Sequence, residues 1–244
     1  MIGRLFHTIL YVPIYNLLIF FVDIVPNGDV GLAVIAVTVI VKLIIAPFSI
    51  SAVKTQRRMK FIEPQMKEIR EKYKDDKEKL AMETLSLYRN NGIKPFSSIL
   101  VTFLQLPVII ALYLVFRHEH LLSPNVSLIY HFVALPTHIS PLFLGVFPTT
   151  GHTIILALIA AAVQFFQAYI TIPVPAKEKN ASSTEEFTRA MSLQSRFILP
   201  LLIGVIAYTT GALALYFITS SIAGIIQEYY VRYRLRYLNI PKQA

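Results

Sequence analysis

Residues 31–51 form an apolar stretch, GLAVIAVTVIVKLIIAPFSIS, whose only charge is Lys42. Wound as an α-helix, these 21 residues rise about 31 Å, one hydrocarbon thickness, so the stretch is long enough to cross a bilayer. A lysine at the centre of a lipid-facing helix costs about 2.5–3.5 kcal/mol, and such residues usually face protein or a water-filled cavity instead. A snorkelling lysine is the simpler alternative, but Lys42 stands nine residues before Ser51, and snorkelling is mainly a device of helix ends. The stretch therefore predicts a spanning helix with an interior-facing cation.

The remaining composition fits one all-α polytopic membrane domain. Mean hydropathy is +0.58 and 55% of residues are hydrophobic, values high for a soluble fold. The net charge of +9 lies between apolar segments and not on one basic face, so specific nucleic-acid binding is not expected. The chain has no Cys, which removes disulfides, thiolate metal sites, lipid-modified Cys and cysteine nucleophiles.

In chain order, residues 1–30 read as an interfacial helix and turn. Arg4 and the apolar run after it look like the start of a signal peptide, but no cleavage site follows, so the segment is expected to be mature protein. Its run is interrupted by His7, Pro13, Tyr15, Asn16 and Asp23, which favours an interfacial helix; a span starting near Leu5 is the competing reading. Residues 31–51 are the first span and residues 52–94 a cytoplasmic helical hairpin. In its first arm Met59, Ile62, Met66, Ile69 and Tyr73 recur at coiled-coil spacing, with Pro64 marking a kink or restart. Lys74-Asp75-Asp76 breaks the pattern, Ala81, Leu85 and Tyr88 resume it, and Asn90-Asn91-Gly92 ends it. Residues 95–116 form the second span, 117–152 a Pro-rich outer loop with one short interfacial helix near 127–135, and 153–172 the third span. Residues 173–196 are a cytoplasmic loop, 197–209 the fourth span, 211–231 the fifth, and 232–244 a cytoplasmic tail.

Orientation follows from charge. Of the 23 Lys and Arg, 20 fall in the hairpin, the loop 173–196 and the tail, whereas Arg4 and Arg117 lie on the opposite side. The positive-inside rule places the first group in the cytoplasm and the N-terminus outside, and five spans agree with ends on opposite sides.

Polar residues recur at helical spacing in four of the spans: Thr38, Lys42 and Ser49; Ser98, Thr102 and Gln105; Gln164, Gln167 and Thr171; Tyr216, Ser220 and Gln227. Interhelical hydrogen bonding, worth under about 2 kcal/mol per contact, accounts for any one stripe alone. Together with a lysine and no Asp or Glu deep in a span, they point to a shared hydrated interior; Glu228, at a cytoplasmic end, is the nearest acid in kind. Such an interior would attract an acidic polypeptide. Other motifs carry less. His118-Glu119-His120 is not a zinc-protease motif and has no placed third ligand, no Walker A motif is present, and no intramembrane Ser/His or paired Asp constellation occurs. No metal, cofactor, nucleotide hydrolysis or enzymatic activity is expected.

Three blocks resemble the YidC/Oxa/Alb membrane protein insertases: TVIVKLIIAPFSISAVKTQRRMKFIEPQMKEIREKYKDDKEKL, LYRNNGIKPFSSILVTFLQLPVIIALY and ILPLLIGVIAYTTGALALYFITSSIAGIIQEYY. They stand in order and cover most of residues 31–230. The resemblance implies five transmembrane helices around a hydrophilic groove open to the cytoplasm and lipid, closed outside, and holding a basic residue. The family's usual groove residue is Arg; the matching position here is Lys42, which keeps the charge without the planar fork. By its place in the FFQ block Gln167 matches the third-span groove glutamine, and Phe217 matches the aromatic position after LY in the last span. The sequence is expected to lack the large outer domain of some bacterial members, a long basic C-terminal extension and an organellar transit peptide.

The resulting expectation is an insertase of the bacterial cytoplasmic (inner) membrane that needs no nucleotide. Its client groove comprises Lys42, Thr38, Ser98, Thr102, Gln105, Gln164, Gln167, Tyr216, Phe217 and Ser220. Its recruiting hairpin presents Arg57, Arg58, Lys60, Met66, Lys67, Arg70, Lys72, Tyr73, Lys77 and Lys79. The expected partners are nascent membrane proteins and membrane lipid, together with ribosome, targeting receptor and Sec translocon. The same polar stripes would also serve a small transporter or channel, or a scaffold for assembling membrane subunits.

Overall fold

The computed structural model describes residues 2–94, 97–118, 124–172, 174 and 183–237. Its order is α1 (Ile2–Phe6), a π turn (His7–Tyr11), α2 (Val12–Ile24), a 3-10 turn (Pro26–Gly28), α3 (Val30–Phe61), α4 (Glu63–Lys72), α5 (Lys77–Asn90) and α6 (Ser97–His118). After a 3-10 turn at Val126–Leu128 come strands β1 (Leu142–Phe143) and β2 (Phe147–Pro148), then α7 (Ile154–Thr171), α8 (Ser183–Tyr208) and α9 (Gly211–Tyr237). Among the described residues five helical segments are long and apolar enough to cross a membrane: Gly3–Ile24, Val30–Phe61, Ile154–Thr171, Arg189–Tyr208 and Gly211–Arg234; the part of α6 whose side chains are described, Phe103–Arg117, is apolar too. The protein is an all-α polytopic membrane protein, and the described residues include one two-stranded hairpin, in a loop.

Several elements run differently from the expected pattern. The first span and the first hairpin arm are one helix, since α3 runs unbroken past Ser51 to Phe61 and nothing between them breaks a helix. Residues 2–24 form one helical run whose π turn precedes Pro13, a residue with no N–H to bond the preceding turn. The short helix expected near 127–135 is only the turn Val126–Leu128, capped by Asn125, whose carboxamide oxygen accepts from the Ser127 N–H at 3.2 Å.

Contacts divide the chain into two compact units, residues 1–42 with 107–228, and residues 43–106 with 229–244. In the first, α2, α3, α6, α7 and α9 contribute a continuous core that includes Leu18, Ile19, Val34, Val37, Leu112, Val115, Leu156 and Leu213. Ala33, Ala111, Ala157, Ala160, Ala207, Ala212 and Ala214 belong to it too, small residues that let helix backbones approach closely. α7 packs along α8, where a Cβ on Gly204 would meet the Ala161 methyl at 3.0 Å. Outward-facing Leu158, Leu201 and Val205 are more than half exposed, which suits hydrocarbon.

The loop preceding α7 closes one end of this unit through backbone hydrogen bonds, since buried N–H and C=O groups need partners. Asn16 donates to the Val12 and Leu128 carbonyls, both at 2.8 Å, and accepts from the Tyr130 N–H at 2.7 Å. The Tyr15 hydroxyl accepts from the Asn125 N–H at 2.8 Å. Asp29 caps α3 by accepting from the Leu32 N–H at 3.1 Å, and its second carboxylate oxygen accepts from the Leu144 N–H at 2.7 Å. Gly28 has a φ of +60°, and a Cβ there would collide with the His138 carbonyl. At the α8–α9 turn, the Thr149 carbonyl accepts from the Ala212 N–H at 2.9 Å and from the Thr210 hydroxyl at 2.9 Å.

In the second unit, Ile62, Met66 and Ile93 form a small core with Leu87 and Tyr88 against it. The first arm does restart at Pro64, which occupies the first turn of α4. α5 begins at Asp76, whose side chain accepts from the Lys79 N–H at 3.0 Å. Of the expected seam, Ile62, Met66 and Tyr88 belong to this cluster, whereas Met59, Ala81 and Leu85 are exposed and Leu87 packs inward. The Thr84 hydroxyl donates to the Met66 sulfur, 3.8 Å away.

Candidate functional site

Ahead of Lys42 the buried side chains of α3 are Val30, Ala33, Val34, Val37 and Thr38, spaced by three and four, so they define the face turned to the core, and Ile45, Ala52 and Thr55 are buried farther along the helix. Lys42 is the next step on that face, four residues after Thr38, and it is half-buried. Val39, Leu43 and Ile44, on the other faces, are exposed. The lysine therefore belongs to the protein-facing side of an otherwise apolar helix.

Burial on this interior face, and on two others in the unit, is interrupted by half-buried steps. On α3 it is complete from Ala33 to Thr38 and partial at Lys42. On α7 it is near complete at Leu156, Ala157 and Ala160 and partial at Gln164 and Gln167. On α9 Ala212 to Phe217 are buried, whereas Ala223, Gly224 and Gln227 are half-buried. Buried residues return beyond these steps: Ile45 on α3, Ala168 on α7, and Ser220, Ser221 and Glu228 on α9.

Within the first unit, α7 and α9 meet through polar groups. The Ser221 hydroxyl donates to the Gln164 carboxamide oxygen at 2.6 Å. One turn on, Gly224 leaves room for the Gln167 carboxamide, whose nitrogen would lie 2.1 Å from any Cβ on that glycine. Thr171 donates back to the Gln167 carbonyl at 2.9 Å. At the end of α7, Arg196 donates from its guanidinium to the Ile172 carbonyl, with Nε at 2.9 Å, and lies 4.9 Å from the Tyr169 ring centroid.

Other expected residues are placed differently. Thr38 is fully buried, and its hydroxyl donates to the Val34 carbonyl at 2.7 Å. Tyr216 and Phe217 are core residues with their rings edge to face at 5.3 Å. Ser220 is buried beside them in sequence. Gln105 is half-buried and belongs to the second unit; Ser98 and Thr102 lie in α6, but their side chains fall outside the described residues. Glu119 and His120 of the H-E-H run fall outside as well. Sequence reasoning passed over Ser221 and Gly224 and left Glu228 outside the groove; all three continue the inward face of α9 from Phe217 at helical spacing, which was the available signal, and Glu228 is 3% exposed.

In the hairpin unit the basic residues serve more than one end. Arg58 donates to the Asn91 carbonyl at 3.2 Å and the Gly92 carbonyl at 2.9 Å, tying the α5 exit back to α3. Lys79 pairs with Asp76 at 3.5 Å, and the Lys72 ammonium lies 5.3 Å from the Tyr73 ring centroid. Lys60, Arg70 and Lys77 are exposed, Arg57 and Lys67 half-buried, and Met66 packs in the small core.

Comparison with known proteins agrees with this architecture. The sequence model of the family described as "60Kd inner membrane protein" matches residues 20–237. A Clostridium tetani protein named "Membrane protein insertase YidC" is 32% identical over 197 residues, covering 81% of this chain and 79% of the relative. A Fusobacterium nucleatum protein of the same name is 28% identical over 225 residues, covering 89% and 96% respectively. A longer relative so named, from Chloroherpeton thalassium, is 26% identical over 94% of this chain and 36% of its own length. The chain therefore belongs to the 60Kd inner membrane protein family, the YidC/Oxa/Alb insertases.

Proposed function

We propose that the chain is a membrane protein insertase that passes nascent membrane proteins into the bilayer through a hydrophilic groove centred on Lys42. The observation that carries this reading is the place of Lys42, a half-buried cation on the interior face of α3, one turn beyond the fully buried Thr38. Gln164 and Gln167 occupy the corresponding steps on α7. At about 6 Å and an effective dielectric near 20, a cation attracts a client carboxylate by roughly 3 kcal/mol, enough to bias an encounter and too little to trap it. The apolar part of the client then slides past α7 and α9 into lipid, and no covalent step or nucleotide is needed.

In this reading the hairpin, the loop 173–196 and the tail are cytoplasmic and the N-terminus is outside, in the inner membrane of a bacterium. The N-terminal helix lies in the outer interface, a placement supported by the bonds of Tyr15 and Asn16 to the loop at 125–130. The exposed lysines and arginines of the hairpin recruit ribosome, targeting receptor or Sec translocon.

The test is insertion of a single-span client with an acidic outer tail into vesicles holding wild type or variants. Lys42→Arg should insert normally, Lys42→Ala should lose most activity, and Lys42→Glu should lose more. Full activity of both Lys42→Ala and Lys42→Glu would end the groove-charge mechanism. Photo-crosslinks from position 42 should reach the client during synthesis; contact with mature partners alone would mark a scaffold instead. Deletion of residues 60–87 should abolish insertion while the core still folds.

A further inference from the structure

We propose that the loop-side end of the first unit holds a binding site for a phosphate-bearing anion, with Arg117 as its cation and a phospholipid headgroup as the occupant the position favours. A cavity of about 260 Å³ opens there between Tyr113 and Arg117 of α6, Thr150 and Gly151 ahead of α7, and Thr209 and Thr210 at the α8–α9 turn. It is smaller than the roughly 300–1,000 Å³ sites that enclose drug-sized ligands. That suits a headgroup and not an acyl chain.

Three observations converge on a phosphate. Arg117 is the one Lys or Arg between Lys94 and Lys177, so this end of α6 carries a single isolated cation. The guanidinium is held in place: Nη1 donates to the Tyr113 hydroxyl at 2.7 Å, and the group lies 5.7 Å from the Tyr113 ring centroid. A fixed planar fork favours two parallel N–H···O bonds to a phosphate, and among the described residues none that lines the cavity is an acid that would repel one.

The third observation is depth. The apolar run of α6 gives way to charge at Arg117, and the apolar segment Arg189–Tyr208 ends beside Thr209, which puts the cavity where hydrocarbon gives way to headgroups. Tyr208 stacks edge to face on His152 at 4.9 Å beside it, as aromatic side chains do at membrane interfaces. A free phosphate shares the chemistry but has no reason to prefer that depth.

The full chain, purified in detergent, can be examined by native mass spectrometry for retained phosphatidylglycerol against phosphatidylcholine. Wild type should keep one phosphatidylglycerol that Arg117→Gln loses, with retention reduced about fivefold or more, and Arg117→Lys should fall between. Equal melting of the three in phosphatidylcholine confirms that the variants fold. Millimolar glycerol phosphate and inorganic phosphate form the second arm. Failure to displace the lipid identifies the headgroup as occupant, and displacement by either identifies a free-anion site dependent on Arg117. Equal phosphatidylglycerol retention by wild type and Arg117→Gln, with no Arg117-dependent binding of either phosphate, would overturn the proposal.

Discussion

Replacing Asp29 by Ala should loosen the loop-side closure of the first unit, and the structure sets the size of the effect. One carboxylate oxygen caps α3 through the Leu32 N–H; losing an N-cap costs about 1 kcal/mol. The other holds the Leu144 N–H at 2.7 Å, a bond to a charged group worth about 1.5–3 kcal/mol. Leu144 is 63% exposed, so water replaces part of that bond and the lower figure applies. Leu144 also sits at φ +52°, in the left-handed region that leucine disfavours, and Asp29 is what pins it there. The total is about 2–3 kcal/mol, which corresponds to a fall in melting temperature of about 4–12 °C for a chain of this size. Asp29→Asn keeps a cap oxygen but loses the charge, so it should fall about half as far. The chain has no Trp, so the assay is a thermal melt followed by helical circular dichroism in detergent, with amide hydrogen exchange at 142–148 as the local readout. If Asp29→Ala melts within about 1 °C of wild type, or exchange at 142–148 does not rise, the carboxylate is not a structural tie.

Gly211→Ala should destabilise by roughly 2–4 kcal/mol, since its Cβ would fall 2.1 Å from the Pro148 carbonyl oxygen, a backbone atom that cannot swing aside; a melt unchanged from wild type would show that the α8–α9 turn has slack. Arg58→Ala should leave two carbonyl bonds unmade and weaken the hairpin by about 1–3 kcal/mol. Hydrogen exchange at 88–93 should rise, while exchange in α7 and α9 stays at the wild-type level.

The parts of this architecture that were legible in the sequence are those set by local periodicity. The spacing from Thr38 to Lys42 places the lysine on the inward face of α3, and length and hydropathy alone mark the apolar helices. What was not legible depends on partners distant in sequence. Tyr15 and Asn16 read as polar interruptions of an apolar run, yet Asn16 bonds to residues 112 and 114 positions away. Thr38 and Tyr216 read as lining residues by type, but a threonine can turn its hydroxyl on its own helix, as Thr38 does on Val34. A buried Tyr216 shows that polar type does not reveal depth. In the hairpin, Ile62, Met66 and Tyr88 of the expected seam pack together, but Thr84, which bonds to Met66, is not counted as apolar in a heptad reading.

The sealed part of α3's inward face has an electrical consequence. From Val30 to Thr38 the helix rises about 12 Å, whereas a whole hydrocarbon core is about 30 Å thick. If water reaches Lys42 from the cytoplasm, as the proposed groove requires, most of the membrane voltage drops across that short plug, and the local field is more than doubled. A client tail carrying one negative charge gains about 2.3 kcal/mol per 100 mV on crossing to a positive exterior. The plug would thus act as a thin dielectric that turns resting potential into a pull on acidic tails, with no moving part and no fuel molecule.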